Sequence, residues 1–252
     1  MLSDSERPFT EEKAKFYIAE IVVALGDLHS RNIIYRDLKP DNVVIDDEGH
    51  AQLIDFGMAK SQIKEVQRGA RTFCGSVKYL APEMLKKIGH GQSLDWYLLG
   101  VLLYEMIIGV TPYFSNDKDQ LFENIINGKL KLPRNISPEV KHLIISLLNR
   151  NPSKRLGSKP GSDGALEIMK HPFFAEINWE DLIMKKSTGY YKPSPPKYRM
   201  EDYLRVLITT EFSNEEIDNI FNGVDMESSD EDFNVSNDEE RHEVKEKKKK
   251  KQ

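Results

Sequence analysis

Apolar residues recur at helical spacing from Ala14 to Leu28. Ala14, Tyr17, Ile18, Ile21, Val22, Leu25 and Leu28 share one face. Thr10 stands ahead of them as a capping side chain, and Glu11 and Glu12 occupy the first turn, where carboxylates suit the unpaired N–H groups. The pattern predicts a helix that ends at His29–Asn32. Short apolar pieces follow at Ile33–Ile34, Val43–Ile45 and Gln52–Ile54, the last two separated by the polar turn Asp46–Gly49, and these predict small strands. Leu94–Ile108 is apolar almost throughout and predicts a buried helix. Asp119–Asn127 and Pro138–Asn149 predict two more. Ser137 caps the second of these, and Pro138 takes its first position, where a missing N–H costs nothing. Gly164–Lys170 predicts a further helix, stopped by His171-Pro172. From Asn178 onward the pattern turns irregular and proline-rich, as in Lys192–Pro196. No internal repeat is visible. The expected fold class is mostly α with a few short strands.

Composition narrows the reading. The chain has 252 residues and a net charge of −5, which gives no overall case for nucleic-acid affinity. Its one cysteine, Cys74, cannot form an internal disulfide and is expected to be an inert thiol. Nothing near Met1 looks like a signal peptide, and the longest apolar run, near Leu98–Val110, is too short to span a bilayer, so no membrane role is expected. Trp96 and Trp179 read as core, and the six histidines show no metal-ligand spacing. Charge is unevenly placed. Asp225–Glu240 holds eight acids and no Lys or Arg, and Arg241–Gln252 then carries seven basic residues. Dense charge with little apolar content cannot offset ordering entropy, so 225–252 is expected to be a disordered, solvated tail. Ser228 and Ser229 stand among the acids, where an acid-directed kinase could modify them. The lysine run raises a nuclear location as an alternative to the cytoplasm.

Three short motifs stand in order along the body: Asp37 within YRDLKPDN, Asp55 within IDFG, and Glu83 within APE. Their separations are 18 and 28 residues. Each alone is a weak signal; the ordered set is a strong one. With these motifs the chain, from about Pro8 to Leu182, resembles eukaryotic protein kinases. Tyr35 in place of the loop histidine, TFCG at Thr72–Gly75, DWYLLGVLLYEM at Asp95–Met106 and HPFFAEINWEDL at His171–Leu182 are similar to the AGC group of serine/threonine kinases.

The resemblance implies roles. Asp37 corresponds to the group that accepts the substrate hydroxyl's proton, and Lys39 to the lysine that reaches the transferring phosphate. Asn42 and Asp55 correspond to ligands of magnesium bound with ATP, hard oxygen donors for a hard cation. Gly57 is expected to adopt backbone angles that other residues resist. Thr72 corresponds to an activation-loop phosphosite, modified by an upstream activating kinase and paired with Arg36 and Lys60. Ser76 corresponds to a hydroxyl that bonds the catalytic aspartate and lysine; Asp41 and Glu105 correspond to acids that bind arginines of protein substrates. Glu83 and Arg155 correspond to a buried ion pair, and Asp95 to the carboxylate that holds the catalytic-loop backbone. Val77 and Lys78 depart from the usual Pro-Glu, which alters the expected substrate preference.

The resemblance also sets the expected organisation. Residues 1–175 read as a kinase C-terminal lobe, 176–224 as a diverged AGC-type extension, and 225–252 as the charged tail. No glycine-rich phosphate loop and no VAIK-like strand precede Tyr35, so the expectation is a C-terminal lobe without the β-rich N-terminal lobe that holds ATP. Such a lobe alone is expected to bind MgATP weakly and turn over little. Two functions follow: an ATP-dependent serine/threonine kinase represented by its lower half, or a lobe that docks substrates or regulators without catalysis. Completion in trans by another chain is a third, weaker reading. The sequence does not specify an oligomeric state.

Overall fold

The computed structural model describes residues 8–62, 77–187 and 189. All lie within one compact unit, Met1–Pro195; the second unit, Pro196–Gln252, falls outside the described residues, as do Cys74 and the charged tail.

Seven helices and one two-stranded sheet make up the described body. α1 (Glu11–Ser30) starts where Thr10 accepts a hydrogen bond from the Lys13 N–H. It buries more than the predicted stripe, because Phe16, Ala19 and His29 are enclosed as well. β1 (Val43–Ile45) and β2 (Ala51–Leu53) pair antiparallel with Val43 opposite Leu53. The predicted strand at Ile33–Ile34 is instead a single bridge between Ile34 and Lys60. Both strands are three residues long, so their stability comes from packing against α1 and not from the ladder.

α2 (Pro82–Leu85) is one turn that the sequence reading did not predict. α3 (Ser93–Ile108) is the central element, and every residue in it except Glu105 and Ile108 is buried. Each large apolar side chain so enclosed contributes about 1.5–3 kcal/mol. α1 lies along one side of α3 and α5 along another. The approach of α5 depends on Gly100, where a Cβ would sit 2.8 Å from the Leu147 Cβ. α4 (Lys118–Asn127), α5 (Pro138–Leu147) and α6 (Gly164–Met169) follow the prediction closely. Their caps Asp117, Ser137 and Asp163 each accept from the third helical N–H. α7 (Trp179–Ile183) corrects the expectation of irregular chain after Asn178. Asn178 caps it through the Asp181 N–H, and Trp179 packs on Phe174 at 5.5 Å. No helix among the described residues is long and apolar enough to cross a membrane.

Candidate active site

The loop after α1 is pinned from below by one carboxylate. Asp95, wholly buried on α3, accepts from the Tyr35 N–H (2.9 Å), the Arg36 N–H (2.7 Å) and His29 Nε2–H (2.7 Å). Carboxylates accept from backbone N–H groups more strongly than neutral acceptors do. This matters because Arg36 sits at φ 72°, a left-handed conformation that costs a residue with a Cβ on the order of 1–2 kcal/mol. Above the loop, the Tyr35 hydroxyl donates to the Ile54 carbonyl, and its ring meets Phe56 edge-on at 5.4 Å. Burial, then the nearby Asp37 and Asp55 charges, push the Tyr35 pKa up, so the hydroxyl keeps the proton it donates.

Asp37 is buried at the head of this loop. Its Oδ2 accepts from Lys39 Nζ (2.7 Å) and Asn42 Nδ2 (2.8 Å), and Asn42 Nδ2 also reaches the Asp37 carbonyl at 2.8 Å. Both donors act on one oxygen. Asp37 Oδ1 has no hydrogen-bond partner among the described residues. A 3-10 turn at Pro40–Asn42 sets the spacing: Asp37, Lys39 and Asn42 meet because the chain folds back immediately after Lys39.

The sheet carries the second carboxylate. The Ile54 N–H donates to the Asn42 carbonyl at 3.0 Å, so Asn42 at the start of β1 and Asp55 just past β2 leave the same end of the hairpin. Asp55 is exposed and stands at φ 59°. Its Oδ1 accepts from the Gly57 N–H at 3.1 Å. This corrects the expected reason for Gly57. Among the described residues Gly57 is not left-handed; Asp55 is, and the glycine leaves room for the carboxylate, since a Cβ there would sit 3.1 Å from Oδ1. The far end of the hairpin is tied to α1: Glu20 accepts from the Ala51 N–H (2.7 Å) and from His50 Nδ1. Burial raises the Glu20 pKa despite these bonds. Glu20 and His50 were not foreseen, because nothing local in the sequence links positions 30 residues apart.

The donor set fits a magnesium ion. Asn42 spends its amide hydrogens on Asp37, leaving its carbonyl oxygen unpaired among the described residues, and Asp55 has one oxygen without a partner there. An amide oxygen and a carboxylate oxygen are hard ligands of the kind this ion uses when phosphates complete its shell. No cluster of three or more His, Cys, Asp or Glu suited to a metal occurs among the described residues.

Of the other predicted positions, Thr72 and Ser76 lie outside the described residues. Arg36 is buried; its Nε donates to the Met58 carbonyl at 2.6 Å, and its Nη1 has no partner among the described residues. Lys60 joins Ile34 through backbone hydrogen bonds of 2.9 Å. His90, buried with its Nε2 unpartnered among the described residues, was not foreseen. Burial, then the Arg36 charge, lowers its pKa; Lys60 acts in the same direction, and Glu83 and Asp95 oppose. Glu83 and Arg155 form a two-pronged pair at 2.7 and 3.0 Å with both side chains fully enclosed. Arg155 also donates to the Ser93 and Asn149 carbonyls, so its buried charge is well partnered. Glu105 accepts from the Tyr79 hydroxyl. Asp41 is exposed on the turn between Lys39 and Asn42.

Comparison with known proteins agrees with this geometry. Residues 1–174 match the family described as "Protein kinase domain". The chain is 50% identical over 188 residues to a RAC serine/threonine-protein kinase of Drosophila melanogaster, covering 75% of this chain and 30% of that protein. It is 46% identical over 190 residues to human RAC-beta serine/threonine-protein kinase, covering 75% and 38%. It is 47% identical over 189 residues to human serine/threonine-protein kinase Sgk1, covering 75% and 43%. The chain thus spans well under half the length of these relatives. With a family match over residues 1–174, a loop that joins Asp37, Lys39 and Asn42, and a buried Glu83–Arg155 pair, the chain belongs to the protein kinase family.

Proposed function

We propose that this chain is the lower part of an AGC-type serine/threonine protein kinase, transferring the γ-phosphate of ATP to protein serine or threonine hydroxyls. One observation carries the reading: Asp37 Oδ2 is fixed by Lys39 and Asn42 while Oδ1 is left for a substrate. A hydroxyl that donates to Oδ1 is oriented by it. As the oxygen forms its bond to the γ-phosphorus, the bond from that phosphorus to the β–γ bridging oxygen breaks, ADP leaves, and the hydroxyl proton passes to Oδ1. Lys39 holds a positive charge beside the same carboxylate, placed to offset negative charge on the transferring group. Asn42 and Asp55 would hold magnesium, which supplies neutralisation of the phosphate oxygens. Asp41 and Glu105 are the acids offered to basic side chains of the substrate. A phosphate on Thr72, added by an upstream kinase, would pair with Arg36, whose Nη1 is unpartnered among the described residues, with Lys60 and His90 in the neighbourhood of Arg36.

The test is transfer of labelled phosphate from MgATP to a serine peptide by the protein containing this chain. Asp37→Asn is expected to cut kcat by roughly 100-fold or more while leaving KM for ATP within about twofold. Unchanged kcat in that variant would sink the catalytic reading. A second reading, a docking lobe without catalysis, is favoured by the half-exposed Ile54, Phe56 and Met58 beside the site. Peptide binding with no transfer in either protein would select it.

A further inference from the structure

The 3-10 turn Val77–Tyr79 brings Tyr79 to Glu105, and it also carries Lys78. Lys78 is the position where the family resemblance expects a glutamate. It is exposed, and its Nζ lies 5.5 Å from the centroid of the Phe114 ring, within cation–π range. Phe114 is 47% exposed and Val110 50% exposed. Both line a groove of about 280 Å³ running past the end of α3 to the segment after α4. Lys129 and Lys131 line the same groove, and no acidic side chain does among the described residues. None of the three lysines has an ion-pair partner among the described residues. Thr111, also on the groove, is buried with its hydroxyl unpartnered among the described residues.

These features ask for one kind of occupant. Two half-exposed apolar side chains gain from being covered. The three ammonium groups are donors, and none has its acceptor on this chain among the described residues. A cationic groove on a chain of net charge −5 is local and not an overspill of the general field. We infer that the groove is a docking surface for the substrate protein, taking a segment in which an acidic side chain stands beside a large apolar one. The carboxylate meets Lys78 with Lys129 and Lys131, and the apolar side chain covers Phe114 and Val110. The inference rests on the kinase reading for the identity of the partner. It deepens that reading: Asp41 and Glu105 ask for basic residues, the groove asks for an acid, and the preferred substrate carries both.

The experiment uses two fluorescein-labelled serine peptides, one bearing Asp-Glu-Phe and the other Lys-Arg-Phe, each made with the insert on either side of the serine. The full chain is titrated into them without nucleotide, and anisotropy is read. The acidic peptide is expected to bind roughly tenfold more tightly in one of the two placements, with the gap narrowing in high salt. Lys78→Glu, and separately the pair Lys129→Glu with Lys131→Glu, should each remove or invert that gap. Equal binding, tighter binding of the basic peptide as net charge alone would give, or a gap indifferent to all three substitutions overturns the inference. Repeating the titration with the protein that contains this chain, and then adding MgATP, separates the two readings. Preference without transfer leaves the groove standing and fails the kinase reading, whereas transfer without preference does the reverse.

Discussion

The two carboxylates of the site are held in opposite ways. Asp37 is buried on a loop whose backbone hangs from Asp95, with its own Oδ2 gripped by two donors. Asp55 is exposed, and among the described residues its only hydrogen bond is the local one to Gly57 N–H. Both loops contain a left-handed residue, Arg36 in one and Asp55 in the other. In the first, a buried carboxylate receives the strained residue's own N–H. In the second, the strained residue is Asp55, the proposed magnesium ligand itself. The contrast teaches what each group needs. An acceptor for a hydroxyl proton must be in place before substrate arrives, because misplacement costs rate directly. A metal ligand can be completed by the ion that it binds.

The largest blow to the pinned side comes from beneath it. Arg155→Met would leave Glu83 charged, enclosed and unpaired, at a cost of about 3–5 kcal/mol. A melt should show a large loss of Tm or no cooperative transition. An unshifted Tm would mean that the pair does not anchor α2. Asp95→Asn is the next step down. It turns one acceptor into a donor facing buried N–H groups, worth about 1–3 kcal/mol of stability. It should also lower kcat while leaving the affinity of Mn²⁺ for the Asp55 side unchanged, which would separate the two regions cleanly.

The smallest of these effects is pH-dependent. His90, near Arg36, and His171, beside His142, both have lowered pKa values, chiefly from burial. For a buried histidine kept neutral, the unfolded chain binds more protons near pH 6 than the folded one. Stability is therefore full above the ordinary imidazole value near 6.5 and declines as pH falls below it. Melts at about pH 7.5 and 6.0, above the carboxylate range, should show a lower Tm at the acid end. His171→Asn should flatten the slope. The bond from the Phe173 N–H to His171 Nδ1 means that protonating that nitrogen breaks a buried contact.

Much of this was legible in the sequence because its signals are local. Thr10, Ser137 and the 3.6-residue periods gave α1 and α5 their places, and the run Leu94–Ile108 could only be a buried helix. The spacing within YRDLKPDN brings Asp37, Lys39 and Asn42 together through one tight turn. What escaped depends on contacts between distant positions. Ile34 pairs with Lys60 by one bridge and forms no strand. α7 is five residues long, too short for a period, and only its cap Asn178 hinted at it. His29 falls on the buried face of α1, four residues after Leu25, and that position could have marked it as a partner for a buried acid. Glu20 and His50 carried no such mark. The sequence alone points to a conformational role for Gly57, because it does not show the Asp55 carboxylate folding back over it; the structure uses the missing side chain as space for Asp55.

The contrast between the two loops can be measured directly by amide hydrogen exchange on the chain without nucleotide. The Tyr35 and Arg36 amides, bonded to buried Asp95, should exchange only through large-scale opening. The exposed Gly57 amide should exchange at least about 100-fold faster and slow when Mg²⁺ and ATP are added. Equal protection of all three, or fast exchange at Tyr35 and Arg36, would contradict a preorganised Asp37 loop set against a ligand-completed Asp55.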